Sequence, residues 1–122
     1  MTNSTIGYRF AGGRVVPCED ETVIESGVVV TEADTIAWVG PATELPERYR
    51  TTEYHDVDTS GMSVMPGLVD GHMHISFGEA ASEEELSIYT PAEYRAIRAS
   101  VDAEKALLAG VTSSCDPGGP YQ

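Results

Sequence analysis

The sequence predicts an α/β protein in two parts: a small sheet or sandwich of short strands, then a single βαβ unit. Three observations predict it. Up to Val64 the apolar residues fall into short runs parted by Gly, Pro and acidic turns, the pattern of several short strands. Between Thr90 and Gly110 apolar residues recur at helical spacing. Strand-like stretches flank that helix, Leu68 onward before it and Val111 to Asp116 after it, and such a unit crosses over right-handed into a parallel sheet.

Taken in order, residues 6–16 carry apolar pieces interrupted by Ala11-Gly12-Gly13, two strand segments around a turn or bulge. Val28-Val29-Val30 is β-branched throughout, Glu32-Ala33-Asp34 is a turn, and Ile36 to Val39 returns before Gly40-Pro41, which together read as a hairpin. Trp38, among apolar neighbours, belongs to the core of this part. A further strand runs from about Tyr54 to Val57, on which His55 is a surface residue, and Asp58-Thr59-Ser60-Gly61 leads into Ser63-Val64. Leu68-Val69 reads as part of a buried parallel strand. Ile75 to Tyr89, rich in Gly, Ala, Ser and Glu, reads as a loop, with Glu79, Glu83, Glu84 and Glu85 on a solvated face.

Thr90-Pro91-Ala92-Glu93 is a helix start, with Thr90 as N-cap, Pro91 at the first helical position and Glu93 reaching back in a capping box. Over about 19 residues Tyr94, Ile97, Val101 and Leu108 share one face and Arg95, Arg98, Asp102 and Lys105 the opposite, solvated one, until Gly110 supplies the stop.

Twenty acidic against seven basic residues give a formal net charge of −13, and only Lys105 is a lysine. So acidic a surface excludes nucleic acid and anionic membrane as partners, since both are bound through basic patches. Acid with scarce lysine also matches the surface of proteins from salt-loving organisms. Cys18 and Cys115 make neither a disulfide framework nor a zinc cluster, and buried free thiols are expected. The first ten residues do not form a secretory signal, and no apolar run reaches the 18 or so residues of a membrane span, so a cytoplasmic protein is expected.

Val64 to His74 carries the chemistry. On an extended backbone His72 and His74 point to the same side, with Asp70 one step lower on that face. Two imidazoles so placed form a clamp for a divalent metal, zinc above all, and a carboxylate beside them orients a ligand from behind.

Pro66-Gly67-Leu68-Val69-Asp70-Gly71-His72-Met73-His74 resembles the PGxxDxHxH segment of the metal-dependent amidohydrolase superfamily. The resemblance extends upstream, where Gly27 to Val30, Asp34, Ile36 to Gly40 and Asp58 to Gly67 match the β-domain that precedes the barrel in many members. It also extends downstream, where Leu107 to Thr112 with Asp116-Pro117-Gly118-Gly119 looks like the second barrel strand of the branch that includes imidazolonepropionase-like and Xaa-Pro dipeptidase-like enzymes. That branch usually has Thr-Thr-Val-Arg-Asp where this chain has Thr112-Ser113-Ser114-Cys115-Asp116, without the arginine.

The resemblance implies that residues 1–64 are the N-terminal part of a composite β-sandwich domain, completed elsewhere by C-terminal strands and therefore left with an unpaired edge. Residues 65–122 would begin a TIM-type (β/α)8 barrel with strand 1, helix 1 and strand 2. A whole barrel takes about 250 residues, so a truncated product, an excised fragment or one piece of a split enzyme is expected. His72 and His74 would bind a divalent metal, by the resemblance zinc, one or two per complete site. The remaining ligands and the general base lie outside the chain, so no catalytic residue is assigned within it. Two readings of function stay open. In the first, the chain is the N-terminal portion of an amidohydrolase that cleaves amide, cyclic amide or dipeptide C–N bonds with metal-activated water, or a deaminase or cyclic-amide hydrolase of the same superfamily. In the second, it is a non-catalytic fragment or interaction module, pairing with the rest of the barrel or another chain.

Overall fold

The computed structural model describes residues 7–77, 80–82 and 84–117. The chain divides into two compact units, Met1–Pro66 and Gly67–Gln122.

The first unit is built on the β-branched run. Strand β1 (Gly7–Ala11), β2 (Arg14–Val15), β3 (Gly27–Glu32), β4 (Thr35–Pro41), β5 (His55–Asp58) and β6 (Ser63–Val64) form two ladders. The larger sheet has the order β4-β3-β1-β5, antiparallel except where β5 runs parallel to β1, and β2 pairs with β6 in parallel. The hairpin read from the sequence is β3–β4, closing with Glu32 opposite Thr35 around Ala33 at φ +53°. Its valines are continuous because both faces of β3 are covered. Val28 and Val30 pack with Tyr49 and Tyr54 on one side, joined by a half-buried Trp38, while Val29 on the other side lines an apolar groove with Val15, Ile24, Val39 and Val64. Strands β4 and β5 are the margins, each paired on one side only among the described residues. His55 is exposed, beside Tyr8.

A short helix, α1 (Glu47–Thr51), has no expectation in the sequence reading, yet it supplies Tyr49, one of the most buried side chains. Arg9 ties it to the sheet. Its Nε and Nη2 donate to the two oxygens of Asp56 at 2.6 and 2.8 Å, and its Nη1 donates to the carbonyls of Tyr49 at 2.7 Å and Arg50 at 3.3 Å. The guanidinium holds the Asp56 carboxyl below the usual carboxylate range, chiefly through these hydrogen bonds.

In the second unit, β7 (Leu68–Asp70) and β8 (Val111–Ser114) pair in parallel, joined through α2 (Ala92–Leu108). Gly110, at φ +97°, ends the helix in a conformation that a side chain would strain. Four expectations are corrected here. The capping box does not form: Pro91, at ψ 145°, is still outside the helix, and the Thr90 hydroxyl donates instead to the carbonyl of Glu85, closing a π-turn at Glu85–Tyr89. The helix is 17 residues rather than about 19. Its faces do not fall as expected: Tyr94, Ile97, Val101 and Leu108 are exposed, Leu108 by 81%, and Arg95, Arg98 and Asp102 are half-buried, while Lys105 is exposed as expected. Toward β8 the helix presents Ala103, Ala106 and Leu107, which line a cleft with Val111, Thr112, Ser113 and Ser114. Finally, β7 is not buried on both sides among the described residues, since Val69 is 75% exposed.

Both cysteines are exposed free thiols rather than buried ones, Cys18 in a loop at φ +64° and Cys115 just beyond β8. No helix among the described residues is long and apolar enough to cross a membrane.

Candidate metal centre

The site grows from the carboxyl end of β7. Gly67 starts the strand where a Cβ would stand 2.0 Å from the Thr112 hydroxyl, so only glycine lets the two strands approach. Beyond Asp70 the chain leaves the strand, so the histidines are not carried on extended backbone as alternation required. Asp70 itself makes the bend. Its carboxylate accepts the His72 backbone N–H at 3.0 Å, so it positions the main chain of a histidine and not its ring. Met73 remains latched to the second strand, donating to the Cys115 carbonyl at 2.9 Å, while the Cys115 N–H donates to the Asp70 carbonyl at 2.9 Å.

With Met73 pinned, the imidazoles on either side of it converge. Nε2 of His72 and Nε2 of His74 stand 3.1 Å apart, their rings nearly perpendicular. His74 stacks on Phe77, centroids 4.3 Å apart, and its buried Nδ1 faces the Asp116 carboxylate at 3.6 Å. The other Asp116 oxygen accepts the Ile75 N–H at 3.2 Å. In the tautomer with its proton on Nδ1, on the Asp116 side, His74 offers its Nε2 lone pair toward His72.

The separation fits a shared ion. Two imidazole nitrogens bound to one zinc at its usual bond lengths and angles stand about 3.0–3.4 Å apart, and these stand 3.1 Å apart. A carboxylate behind one ring is the usual arrangement for holding a ligating histidine in its tautomer. Among the described residues no group of three or more His, Cys, Asp or Glu is placed to hold a metal. Two nitrogens are the share of a site that these residues offer. Glu85 turns its carboxylate to the Ala81 N–H at 3.0 Å, and Glu79 and Glu83 lie outside the described residues.

Asp116 was not given a role by the sequence. The signal was present: a carboxylate two residues past a strand predicted to lie parallel to the histidine strand ends at the same edge of the sheet.

No protein-family model matches the chain. In sequence it is 40% identical over 83 residues to imidazolonepropionase of Roseobacter denitrificans, covering 65% of this chain and 20% of that protein. It is 38% identical over 106 residues to imidazolonepropionase of Paracoccus denitrificans, covering 77% of this chain and 26% of that protein. Among solved structures, ochratoxinase of A. niger superposes with a TM-score of 0.77 at 25% identity, over 92% of this chain and 25% of that one. A prolidase complexed with N-methylphosphonate-L-proline gives 0.73 at 28%, over 91% and 26%. The chain thus spans about a fifth to a quarter of the length of the relatives it matches.

A small sheet, a parallel strand pair and paired histidines just past the first strand of that pair define a mixed α/β protein. By these likenesses in sequence and structure, the chain is related to the amidohydrolase superfamily, at partial coverage of its members.

Proposed function

We propose that the chain is the N-terminal portion of a metal-dependent amidohydrolase that hydrolyses C–N bonds of small amides, cyclic amides or dipeptides. The observation that carries this reading is the 3.1 Å convergence of His72 Nε2 and His74 Nε2 beside Asp116. In this reading residues 1–64 belong to a composite β-sandwich domain and residues 65–122 open a (β/α)8 barrel, whose active sites lie at the carboxyl ends of the strands. A divalent metal, zinc above all, supplies when bound a Lewis acid and a water of lowered pKa.

The chain's own residues prepare for that ion. To hold an ion, His72 and His74 would each turn a proton-free Nε2 toward it, the tautomer that the Asp116 carboxylate beside His74 Nδ1 favours; Asp70 fixes the bend that brings His72 round, and Phe77 backs the His74 ring. Further ligands and the general base come from outside residues 1–122. The isolated chain is therefore a metal binder without turnover, and the two-nitrogen ligand set and the exposed stripe on α2 both support that.

Zinc titration of the metal-free chain, followed by the imidazole resonances, tests the reading. We expect one ion per chain, shifts confined to His72 and His74, and a loss of affinity of about tenfold or more in either His→Ala variant. Saturation behaviour identical in wild type and both variants, or none at millimolar zinc, would overturn it.

A further inference from the structure

We propose that the groove on the Val29 side of the first sheet binds a small hydrophobic amine, its aryl or alkyl arm along the valines and its ammonium group at Glu19. The groove has a volume of about 490 Å³, and among the described residues ten apolar ones and a single charged one, Glu19, line it. Ligand sites have this make-up, apolar walls with a few polar groups that fix orientation. The walls are wetted: Ile36 is 64% exposed and Met65 51%. Apolar surface of this kind gains by being covered.

A register shift shapes the groove. Three residues apart on a regular strand, Ile36 and Val39 would face opposite sides. Between them the pairing with β3 slips, so that Val39 stands opposite Val29, Trp38 opposite Val30 and Ile36 opposite Thr31, while Ala37 has no opposite residue. The extra residue brings Ile36 back to the side of Val39 and Val29. The Tyr49 hydroxyl holds the slipped backbone by donating to the Ala37 carbonyl at 3.0 Å.

Charge selects the head of the ligand. From Val15 to Glu47 the chain carries eight carboxylates and no Lys, Arg or His, and the rest of the lining, Val64-Met65-Pro66, is neutral. Arg14, next to Val15, is exposed and does not line the groove, and residues 1–6 carry no charged side chain. Among the described residues no hydrogen bond or ion pair engages the Glu19 carboxylate. An ammonium group set there meets an unpaired opposite charge, and an anion meets repulsion.

The test titrates the 122-residue chain, with EDTA present, against phenylbutylammonium, its neutral analogue phenylbutanol and the anion phenylbutyrate, read by methyl and amide chemical shifts. Saturable binding is expected, with shifts at Val15, Val29, Val39 and Val64, tightest for the cation and weakest for the anion. Glu19→Gln should bring the cation down to the affinity of the alcohol, a loss of about two- to fivefold, the worth of an exposed ion pair, and leave the alcohol unchanged. Salt at about 1 M KCl should do the same. Ile36→Ser should weaken all three ligands by about threefold or more, while Glu53→Gln, outside the lining, changes none. Unaltered urea midpoints identify variants that fold, and if Ile36→Ser does not fold, Glu19→Gln and the order of the three ligands carry the decision. Absence of saturation, an anion bound as tightly as the cation, or a loss on Glu19→Gln matched by Glu53→Gln would each overturn the proposal. So would a second copy in the groove, seen in sedimentation as a dimer that Ile36→Ser returns to monomer. With metal excluded and no histidine on the lining, these outcomes are independent of zinc binding at His72 and His74.

Discussion

Replacing Arg9 by methionine should cost the first unit about 3 kcal/mol, and the structure divides that sum unequally. The pair with Asp56 is bidentate, but the Asp56 side chain is 63% exposed, so solvent screening limits it to about 1 kcal/mol. The bond from Nη1 to the Tyr49 carbonyl is part-buried and charge-assisted, worth about 2 kcal/mol, and the longer, exposed bond to Arg50 adds little. Methionine keeps the apolar stem, so the loss is one of donors. Trp38, the single tryptophan, lies in this unit and reports its unfolding in urea. We expect the urea midpoint to fall at unchanged slope, with a thermal shift of roughly 10–20 °C for a unit of this size. Asp56→Asn should cost only about 1 kcal/mol, and that cost should vanish in molar KCl, whereas most of the Arg9→Met effect persists there. A cost for Arg9→Met below about 1 kcal/mol, or equal to that of Asp56→Asn, would refute the assignment of α1 anchoring to the carbonyl contacts.

Further outcomes follow from titration, exposure and charge. Burial, with the Glu32 carboxylate that accepts its hydroxyl at 2.7 Å, pushes the Tyr54 phenol up to about 12. The unfolded phenol ionises near 10, so the stability gained is full below about pH 10 and is lost as pH rises from there to about 12, by at most about 2–3 kcal/mol. In an alkaline absorbance titration one of the six tyrosines should ionise last, and Tyr54→Phe should abolish that step. Both thiols, being exposed, should react with a disulfide reagent without denaturant, two per chain; protection of either contradicts the fold around it. With a net charge of −13, the melting temperature should rise by several degrees from dilute buffer to 1 M KCl, and a flat response would show that self-repulsion is not limiting.

Much of the backbone was legible because the signals are local. The hairpin announced itself through Val28-Val29-Val30 and an acidic turn, and α2 ended where Gly110 permits a positive φ. What escaped depends on residues distant in sequence. Nothing in a lone Arg9 names Asp56 and the end of α1 as its partners, 40 and more residues away. Amphipathicity showed two faces of α2 but not which neighbour each would meet. Strand alternation brought His72 and His74 together by the wrong route, since an Asp70 bend and a pinned Met73, rather than extended backbone, produce the convergence. Asp116 escaped because its partner lies 42 positions earlier in the chain.

The parallel pairing of β5 with β1 sets the order in which the first unit can assemble during synthesis. Tyr8 sits opposite His55 and Ala11 opposite Asp58, while Glu32 meets Thr35 across the hairpin. Nearest-neighbour loops close fast and long ones slowly, so β3–β4 forms as soon as it emerges, β1 joins it next, and the last strand arrives only after the whole of α1 has been made. Until then β1 has one bare side, and the nascent chain is most open to mispairing in the interval between translation of residue 41 and residue 58.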